Sequence, residues 1–452
     1  MNFDSEKLRT ALQSMPHSDA IIVGLSGGVD SIVLLHALHS LKQQGKVHFS
    51  LSALHVNHGL HAEAEAWKGF CEKFCNELDV PLVISKVHVE IAEPANATGL
   101  ENAARDARYR AFESNLQSGK ALLLAHHLDD QLETFLLRLM RGSGIRGLAG
   151  IPQYRLLGDS FLFRPLLDFT RESLIAYAHT QKLNWVEDNS NLNTRFDRNY
   201  CRHELFPRIE QRWVRYRESW SKSLVLLGEA DQLLQELAII DLSFAATERT
   251  NVIKIEKLLQ LSDVRRRNAL RHWFSRLGLK EIGWNRLQQL SREVLTAKAS
   301  RIVTLPLDGC LLQRFKGKLY ALRVLQGFDK TQTLSWSIEK QSKLKLTNNG
   351  ILRAESVSGS GIRVAKSSSL RVKYRMGGET CQLVGRPRKL LKKLLQEEEV
   401  VPWLRERLPL LYMEDELVCI PGIGIAENYV AKANENGFLI YWEAPDFNLA
   451  GD

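Results

Sequence analysis

Short apolar runs alternate with segments of helical periodicity over roughly the first 140 residues. Near-continuous apolar runs predict buried strands, and apolar residues three or four positions apart predict amphipathic helices. The predicted strands cover residues 20–25, 49–56, 81–89 and 121–125, and the predicted helices cover residues 31–43, 62–78, 98–116 and 130–140. This alternation predicts an α/β fold, in which a parallel sheet carries helices on both faces.

The second half of the chain has a different pattern. It predicts helices over residues 224–238 and 263–298, a β-hairpin over residues 301–306 and 311–322, and a basic amphipathic helix over residues 386–395. A stretch rich in Lys, Ser, Gly and Asn around residues 340–369 indicates a junction. We therefore expect an N-terminal α/β domain over residues 1–217, a mostly helical middle domain over residues 218–350 and a small α+β C-terminal domain over residues 351–452.

Polar segments begin where the predicted strands end, at residues 26–31, 55–58 and 126–133. In open parallel sheets, ligands bind beyond the carboxyl ends of the strands. The sequence therefore predicts that these segments converge on one site.

The first polar segment is the Gly-rich turn Ser26-Gly27-Gly28-Val29-Asp30-Ser31. A turn that opens a helix directs backbone N–H groups and the positive end of the helix dipole at one spot, which suits a phosphate. Gly27 and Gly28 permit close approach of the backbone, Ser26 and Ser31 add hydroxyl donors, and Asp30 is a candidate Mg²⁺ ligand. The turn lacks the Lys of a Walker A motif. A strand-to-helix turn without a ligand is the alternative.

The segment His126-His127-Leu128-Asp129-Asp130-Gln131-Leu132-Glu133-Thr134 supplies the candidate catalytic acids. Asp130 and Glu133 fall on the polar side of the predicted helix, opposite its apolar face. In the functional interpretation, Asp130 shares Mg²⁺ with Asp30 or orients a nucleophilic amine, and Glu133 lies beside it. In the structural interpretation, these acids only begin a helix, where negative charge suits the dipole.

Other polar residues near the strand ends are candidates for a nucleotide or base pocket. They are His55, Asn57 and His126. A structural role is the equal alternative for His55 and its neighbours.

Several basic residues are candidates for phosphate or tRNA contacts: Arg105, Arg108, Arg198, Arg202, Arg388 and Lys392. Arg105 and Arg108 share a predicted helix face with Glu101, so a phosphate clamp and a solvated salt-bridged face are both open. Arg198 and Arg202 begin a stretch in which basic and aromatic residues alternate, as in many RNA-binding segments. A helix whose aromatic residues pack inward is the alternative there. A solvated charged helix is the alternative for Arg388 and Lys392.

Composition narrows the class of partner. The 452 residues carry a formal net charge of +9, which favours an anionic partner such as nucleic acid. Six cysteines are too few for a disulfide framework in a chain of this length. No apolar run reaches the length of a membrane-spanning helix. We therefore expect a cytoplasmic protein with reduced cysteines and no membrane partner.

Taken together, these segments resemble the bacterial tRNA(Ile)-lysidine synthases, which belong to the PP-loop superfamily of N-type ATP pyrophosphatases. The turn at residues 26–31 indicates only the superfamily. Residues 126–134 and the stretch Pro402-Trp403-Leu404-Arg405-Glu406-Arg407 indicate the family itself. Further matching segments cover residues 55–60, 101–110, 141–150, 164–167, 185–191, 198–199 and 375–379. The resemblance extends along nearly the whole chain.

This resemblance implies a PP-loop ATP pyrophosphatase fold and a two-step reaction that uses ATP and Mg²⁺. In the first step, the C2 oxygen of the first anticodon cytidine of a CAU-anticodon isoleucine tRNA attacks the α-phosphate and releases pyrophosphate. In the second, the ε-amine of free L-lysine attacks C2 and expels AMP, giving lysidine. The resemblance also implies that residues 26–31 bind ATP, that Asp30, Asp130 and Glu133 are catalytic, and that the later domains recognise tRNA. It allows for a homodimer.

Other functions remain open at this point. A related enzyme that thiolates a tRNA base through an iron–sulfur cluster or a persulfide needs suitably placed cysteines, and no such set follows the phosphate loop. A non-catalytic tRNA-binding protein of the same fold would have no use for Asp30, Ser31, Asp130 and Glu133.

Overall fold

A computed structural model describes residues 3–57, 59, 63–87, 97–116, 119–188, 192–279, 282–296, 303–364 and 368–447. His58 lies outside the described residues, and so does the side chain of Glu101. The chain divides into two compact units, Met1–Leu233 and Leu234–Asp452.

The first unit is built on a mixed sheet. Its strands are β1 (Ala20–Gly24), β2 (Ser50–Asn57), β3 (Leu82–Lys86), β4 (Ala121–Leu123), β5 (Tyr154–Leu157) and β6 (Ser160–Phe163). They lie in the order β3-β2-β1-β4-β6-β5. Every neighbouring pair is parallel except β5 and β6, which form an antiparallel hairpin. The predicted parallel sheet is confirmed, and it ends in an antiparallel edge strand that the sequence pattern did not indicate.

Helices follow the strands as the periodicity predicts. They are α1 (Ser5–Leu12), α2 (Val29–Gln43), α3 (Ala64–Glu77), α4 (Ala97–Asn115), α5 (Leu128–Met140), α6 (Ile145–Leu148), α7 (Arg171–Thr180), α8 (Asp197–Tyr200), α9 (Phe206–Arg212) and α10 (Tyr216–Ala245). A π-helical turn at Cys201–Leu205 joins α8 to α9. The two helices after β1 and β4 begin two residues earlier than predicted, because Val29 and Leu128 belong to their first turns.

Both faces of the sheet are covered. Ile21 and Val23 of β1 pack into a core that includes α2 and α7, whereas Ile22 faces the opposite way. On that second face, Ile22 lies in a cluster with Leu122 of β4 and Phe112 of α4. Alternate strand residues point to opposite faces of a sheet, so both layers follow from the apolar runs.

Aromatic residues of the stretch over residues 198–222 contribute mainly to a third cluster. Phe206, Tyr216 and Trp220 pack with Leu132 and Leu136 of α5. These aromatic residues support the alternative in which the segment packs inward. Tyr200 and Trp213 differ, since they are 45% and 60% exposed.

The longest described helix, α10, has 30 residues and carries charged and polar side chains along its length. Within the described ranges, no helix combines the length and hydrophobicity needed to cross a membrane.

The second unit begins with a helical part that also holds an antiparallel sheet of order β7-β10-β9-β8. Its helices are α11 (Ile255–Leu259), α12 (Asp263–Arg276) and α13 (Trp284–Gln289), the last continued by a π-helical turn at Leu290–Leu295. Its strands are β7 (Val252–Lys254), β8 (Val303–Leu307), β9 (Cys310–Phe315) and β10 (Lys318–Arg323). Trp273 and Phe274 of α12 are buried in the core that the helices share with this sheet.

The C-terminal part of the second unit is rich in sheet. Its strands are β11 (Leu334–Trp336), β12 (Lys343–Lys345), β13 (Ile351–Ser358), β14 (Leu370–Lys373), β15 (Thr380–Cys381), β16 (Lys389–Leu390), β17 (Leu410–Met413), β18 (Glu416–Ile420), β19 (Gly424–Ile425) and β20 (Asn436–Glu443). Its helices are α14 (Leu391–Glu397) and α15 (Pro402–Arg405). The sheet orders are β11-β14-β17-β18-β19, β12-β13-β20 and β15-β16. The α+β character predicted for this region is confirmed.

Several predicted boundaries in this unit are wrong. The helix predicted over residues 263–298 is interrupted after α12, where Gly278 takes a φ of +70° and a helix cannot continue. The strand predicted over residues 311–322 is a hairpin of β9 and β10, which turns at Lys316 and Gly317, both with positive φ.

The basic helix predicted over residues 386–395 begins only at Leu391, the first residue of α14. Pro387 lacks a backbone N–H and restricts the residue before it, so the helix does not extend back to residue 386. Arg388 therefore lies outside the helix, whereas Lys392 lies on it and is exposed.

The β5–β6 hairpin offers a matched test of where the first unit is stabilised. Leu162 is fully buried between strand and helix layers, whereas Leu156 on the neighbouring strand is 67% exposed. We expect Leu162→Ala to lower the free energy of unfolding by about 2–5 kcal/mol, because a cavity replaces buried methyl groups. Leu156→Ala should change it by less than about 0.5 kcal/mol. Urea unfolding followed by circular dichroism measures both, and equal losses would contradict the burial described here.

Candidate active site

Three polar segments that follow strand ends line one cleft of about 580 Å³ in the first unit. β1 lies between β2 and β4, so the loop after β1, the end of β2 and the segment after β4 are neighbours. Most sequence-predicted site residues line this cleft: Ser26, Gly28, Val29, Asp30, Ser31, His55, Asn57, Arg108, His126, Asp130 and Arg202. The predicted convergence of the three segments is therefore confirmed.

The Gly-rich loop has an internal hydrogen-bond network. Ser31 Oγ accepts from the backbone N–H of Ser26 at 3.2 Å and donates to the Gly28 carbonyl at 3.0 Å. Ser26 Oγ accepts from the backbone N–H of Gly28 at 3.3 Å. The two hydroxyl oxygens are 3.2 Å apart. This network connects the end of β1 to the first turn of α2, whose N-terminus opens at the cleft.

Glycine is required at one of the two loop positions by the backbone itself. Gly27 has a φ of +88°, a conformation that side chains disfavour, and its carbonyl accepts from the backbone N–H of Val186 at 2.9 Å. Gly28 has a φ of −72°, and a Cβ there would contact only Ser26 Oγ at 3.5 Å. Gly27 therefore shapes the loop, whereas nothing in the protein's own packing demands a glycine at position 28.

Asp30 lies in the first turn of α2 and faces the cleft. Its Oδ1 is buried and has no hydrogen-bond partner among the described residues. Its Oδ2 lies 3.7 Å from His127 Nε2. Burial raises the pKa of Asp30 above its usual value, and the charge of Asp130 acts in the same direction. His127, Arg171 and Arg202 act against this shift but do not outweigh it.

Asp130 has the opposite electrostatic setting. Its Oδ2 accepts from the backbone N–H of His127 at 3.0 Å, and Arg198 Nη2 donates to its Oδ1 at 2.9 Å. Burial alone would raise the pKa of Asp130, but His127, Arg198 and the backbone hydrogen bond outweigh it and lower the pKa to about 2. The Asp130 side chain therefore carries a firmly held negative charge.

Glu133 lies beneath this charge and is fully buried. Arg198 Nε donates to one of its carboxylate oxygens, and Arg202 donates to the other at 2.8 Å. The two arginines are four residues apart at the junction of α8 and the π-helical turn, so they extend from one helical face. Glu133 thus holds both arginines at the edge of the cleft and has no oxygen directed toward a ligand.

His127 lies among acidic side chains. Its Nε2 is 3.5 Å from Asp130 Oδ2 and 3.7 Å from Asp30 Oδ2, and its Nδ1 is 3.7 Å from Asp129 Oδ2. Asp129 in turn accepts from the backbone N–H of Arg171 at 2.8 Å and from Arg217 Nε at 3.3 Å. The imidazole therefore connects the acid of the Gly-rich loop to those of α5.

His126 has a different environment from its neighbour. Arg164 Nε donates to its Nδ1 at 3.2 Å. Burial, together with Arg164 and two further arginines, lowers the pKa of His126 to about 3, although Asp130 opposes this shift. The imidazole is therefore neutral at physiological pH.

Side chains at the end of β2 are hydrogen-bonded to other parts of the protein. His55 is buried, and its Nδ1 donates to the Leu25 carbonyl at 2.9 Å. Asn57 donates to Glu65 at 3.3 Å and accepts from the backbone N–H of Gly59 at 2.9 Å. Both residues line the cleft, yet these bonds favour a structural role for Asn57 and leave one ring nitrogen of His55 for a ligand.

The remaining predicted basic residues do not form one group. Arg108 lines the cleft, whereas Arg105 lies over the ring of Tyr109, 5.3 Å from its centroid. Arg388 and Lys392 belong to the second unit, where Arg388 donates to Thr380 at 3.2 Å.

Sequence reasoning missed several residues of the cleft and its surroundings: His127, Arg164, Trp67, Arg171, Trp185 and Glu187. His127 and Arg164 lie in segments that carry the family resemblance, but the sequence alone assigned them no role. Trp67 and Arg171 lie on helices, and only the fold brings them to the strand ends.

Comparison with known proteins accounts for most of the chain. A model of the PP-loop domain matches residues 2–209, a model of the TilS substrate binding domain matches residues 253–320, and a model of the TilS substrate C-terminal domain matches residues 370–442. The tRNA(Ile)-lysidine synthase of Coxiella burnetii is 37% identical over 445 residues, which cover 98% of this chain and 97% of that protein.

The chain belongs to the tRNA(Ile)-lysidine synthase family. The tRNA(Ile)-lysidine synthase of Pseudomonas aeruginosa is 38% identical and covers 97% of both chains, and that of Pseudomonas putida is 39% identical and covers 89% of this chain and 92% of its own. Family membership and the PP-loop domain make this protein an ATP-dependent ligase that acts on tRNA.

The solved structures are less similar to this chain than these relatives are. The U34-tRNA thiolase NcsA from Methanococcus maripaludis covers 50% of this chain and 78% of its own, with a TM-score of 0.41 and 19% identity. A TilS C-terminal domain covers 25% of this chain and 99% of its own, with a TM-score of 0.20 and 18% identity.

The buried carboxylate of Glu133 predicts a large effect on stability. We expect Glu133→Gln to lower the free energy of unfolding by up to about 3–5 kcal/mol, because Arg198 and Arg202 lose the charge that compensates them. Glu218→Gln is the matched control, since Glu218 pairs with Arg215 on the surface, where such pairs contribute less than about 1 kcal/mol. Urea unfolding of both variants measures the difference. Similar values for the two would show that the Glu133 pairs are as weak as a surface pair.

Proposed function

We propose that this chain ligates free L-lysine to C2 of the wobble cytidine of the CAU-anticodon isoleucine tRNA. ATP first adenylates the C2 oxygen of the cytidine and pyrophosphate leaves. The ε-amine of lysine then attacks C2, the C2–O bond breaks and AMP leaves, so that lysidine remains. The observation that carries this proposal is the meeting of the Gly-rich loop with the acids of α5 in one cleft.

The loop at residues 26–31 suits the triphosphate of ATP. Backbone N–H groups at the start of α2 and the hydroxyls of Ser26 and Ser31 are donors, and the helix dipole favours negative charge there. The absence of a side chain at Gly28 leaves room for a phosphate, which accounts for a glycine that the protein's own packing does not need. Trp67 and Trp185 line the same cleft and offer flat apolar surfaces for a purine.

Asp30 is the residue that best suits Mg²⁺. Its buried and unpartnered Oδ1 is a hard oxygen ligand beside the loop. In the described part of the chain, no group of three or more His, Cys, Asp and Glu residues is arranged to hold a metal alone. This fits Mg²⁺, which often takes one or two carboxylates and completes its shell with phosphate oxygens and water. The bound ion would neutralise phosphate charge. Asp130 is the second candidate ligand, although both of its oxygens already have partners.

Asp130 is proposed to meet the lysine substrate. Its negative charge, fixed by Arg198 and His127, suits an incoming ammonium group. A carboxylate with a pKa of about 2 is a weak base, which favours orienting the amine over removing its proton. Glu133 is proposed to act indirectly, because its oxygens hold Arg198 and Arg202 where they can contact phosphate.

The tRNA is proposed to contact both units of the chain. Arg108, Arg198 and Arg202 lie at or beside the cleft, and Arg105 lies near them on α4. Arg388 and Lys392 are candidates on the second unit, whose segments match the substrate-binding and C-terminal models. Discrimination from the methionine tRNA with the same anticodon must rest on elements outside the anticodon, which gives the second unit a role.

A homodimer and a cytoplasmic location are further parts of this proposal, and sedimentation velocity tests the dimer.

The reaction is tested by incubating the protein with labelled lysine, ATP, Mg²⁺ and the CAU isoleucine tRNA. We expect label to enter this tRNA and not the CAU methionine tRNA, with equal release of AMP and pyrophosphate. Pyrophosphate release without lysine transfer would indicate another nucleophile. If tRNA bound but neither product formed, a non-catalytic tRNA-binding protein would be the better description.

The two acids should affect different steps. We expect Asp30→Asn to slow pyrophosphate release at least about 100-fold, because the Mg²⁺ that would neutralise the phosphates loses a charged oxygen ligand. Asp19→Asn is the matched control, since Asp19 is 92% exposed and precedes the opposite end of β1. Asp130→Asn should retain more pyrophosphate release than lysine transfer. Full lysidine formation by Asp130→Asn would exclude the role given to Asp130.

A further inference from the structure

Arg164 is a buried arginine, 2% exposed, that follows the end of β6. Each of the three nitrogens of its guanidinium donates to a hydrogen-bond acceptor. Nη1 donates to the Pro152 carbonyl at 2.7 Å, Nη2 donates to the Tyr109 hydroxyl at 3.2 Å, and Nε donates to His126 Nδ1 at 3.2 Å. The guanidinium is thus fixed by the loop before β5 and by α4, and it presents one N–H to the imidazole.

This contact determines which ring nitrogen of His126 carries the hydrogen. A guanidinium can only donate, so Nδ1 must accept and a neutral ring must carry its hydrogen on Nε2. His126 lines the cleft. Its Nε2 is absent from the set of fully buried polar atoms that lack a hydrogen-bond partner. No hydrogen bond to that nitrogen exists among the described residues. The ring therefore offers the cleft a single N–H donor.

The charges around His126 favour its neutral form. Asp130 of α5 favours the protonated form, whereas Arg164, Arg198 of α8 and Arg108 of α4 oppose it, as does burial. A donor that stays neutral can bond an oxygen that gains negative charge without transferring a proton to it.

We propose that Arg164 is a positioning residue that holds His126 as a neutral Nε2–H donor to an acceptor oxygen of the reacting nucleotides. Two oxygens share this chemistry, a non-bridging oxygen of the ATP α-phosphate and the C2 oxygen of the target cytosine. The inference rests on the proposed function for the identity of these oxygens. The form of the imidazole follows from the protein alone.

The form of the imidazole is tested first, on the full-length protein labelled with ¹⁵N-histidine, with His126→Gln to assign the signal. We expect Nδ1 without hydrogen, Nε2 with hydrogen, and no titration of this ring between pH 5 and 8. A ring with hydrogen on Nδ1, or one that titrates in that range, would overturn the proposal. This readout does not depend on whether the protein forms lysidine, so it separates failure of the inference from failure of the proposed function.

Variants of His126 test the donor. His126→Gln keeps an amide donor and should lose less than about 10-fold in pyrophosphate release, whereas His126→Phe should lose about 100-fold or more. If ATP affinity without tRNA falls in His126→Phe, the acceptor is on the nucleotide. If only tRNA-dependent pyrophosphate release falls, the acceptor is on the base. Unchanged values in both assays would overturn the proposal.

Variants of Arg164 test the positioning. Arg164→Met should lose about 10- to 100-fold, and Arg164→Lys should regain part of this because it can still donate to Nδ1. In Arg164→Met the ¹⁵N-histidine signals of His126 should show hydrogen on Nδ1 in part of the molecules, because no donor then requires that nitrogen to accept. Arg155→Met is the control, because Arg155 also contacts Tyr109, by lying over its ring, but is exposed. A ring that keeps hydrogen only on Nε2 in Arg164→Met, together with a deficit that Lys does not relieve, would overturn the role of Arg164.

Discussion

The buried carboxylate of Glu133 determines where two arginines of a later segment lie. Charges of this kind are stable in a protein interior only when they are paired and hydrogen-bonded, and Arg198 and Arg202 meet that condition from one helical face. Leu132 and Leu136, which are buried beside Glu133 on α5, pack against aromatic residues of the same later segment. Hydrophobic packing and ion pairing therefore join the same two pieces of chain, and the edge of the cleft depends on both.

Titratable groups only a few ångströms apart have pKa values that are shifted in opposite directions in this cleft. Burial raises the pKa of Asp30, whereas Asp130 accepts hydrogen bonds that keep it ionised. His126 is kept neutral by burial and by arginines, and His127 lies among three carboxylates. Because neighbouring groups differ in pKa in this way, one small site can hold a carboxylate, arginine cations and a neutral donor together.

Local signals predicted much of this protein, and long-range contacts account for most of what they missed. The Gly-rich loop and the acids of α5 are recognisable because a strand end, a turn and a helix start are encoded by adjacent residues. The ion pairs of Glu133 join residues 65 positions apart or more, and no periodicity reports them. The contact between Arg164 and His126 spans 38 positions and depends on β4 and β6 being neighbours. The basic periodicity alone places the start of this helix at residue 386, whereas Pro387 prevents that and the helix begins at Leu391.

The hydrogen bond from Val186 to the Gly27 carbonyl fixes the orientation of the peptide between Gly27 and Gly28. A peptide unit is planar and trans, so fixing the Gly27 carbonyl toward Val186 fixes the Gly28 N–H in the opposite direction. The loop cannot exchange between two peptide orientations without first breaking this bond to the segment that carries Trp185. A nucleotide therefore meets this peptide, whose N–H also donates to Ser26 Oγ, already in one orientation, and none of the binding energy is consumed in turning the peptide over.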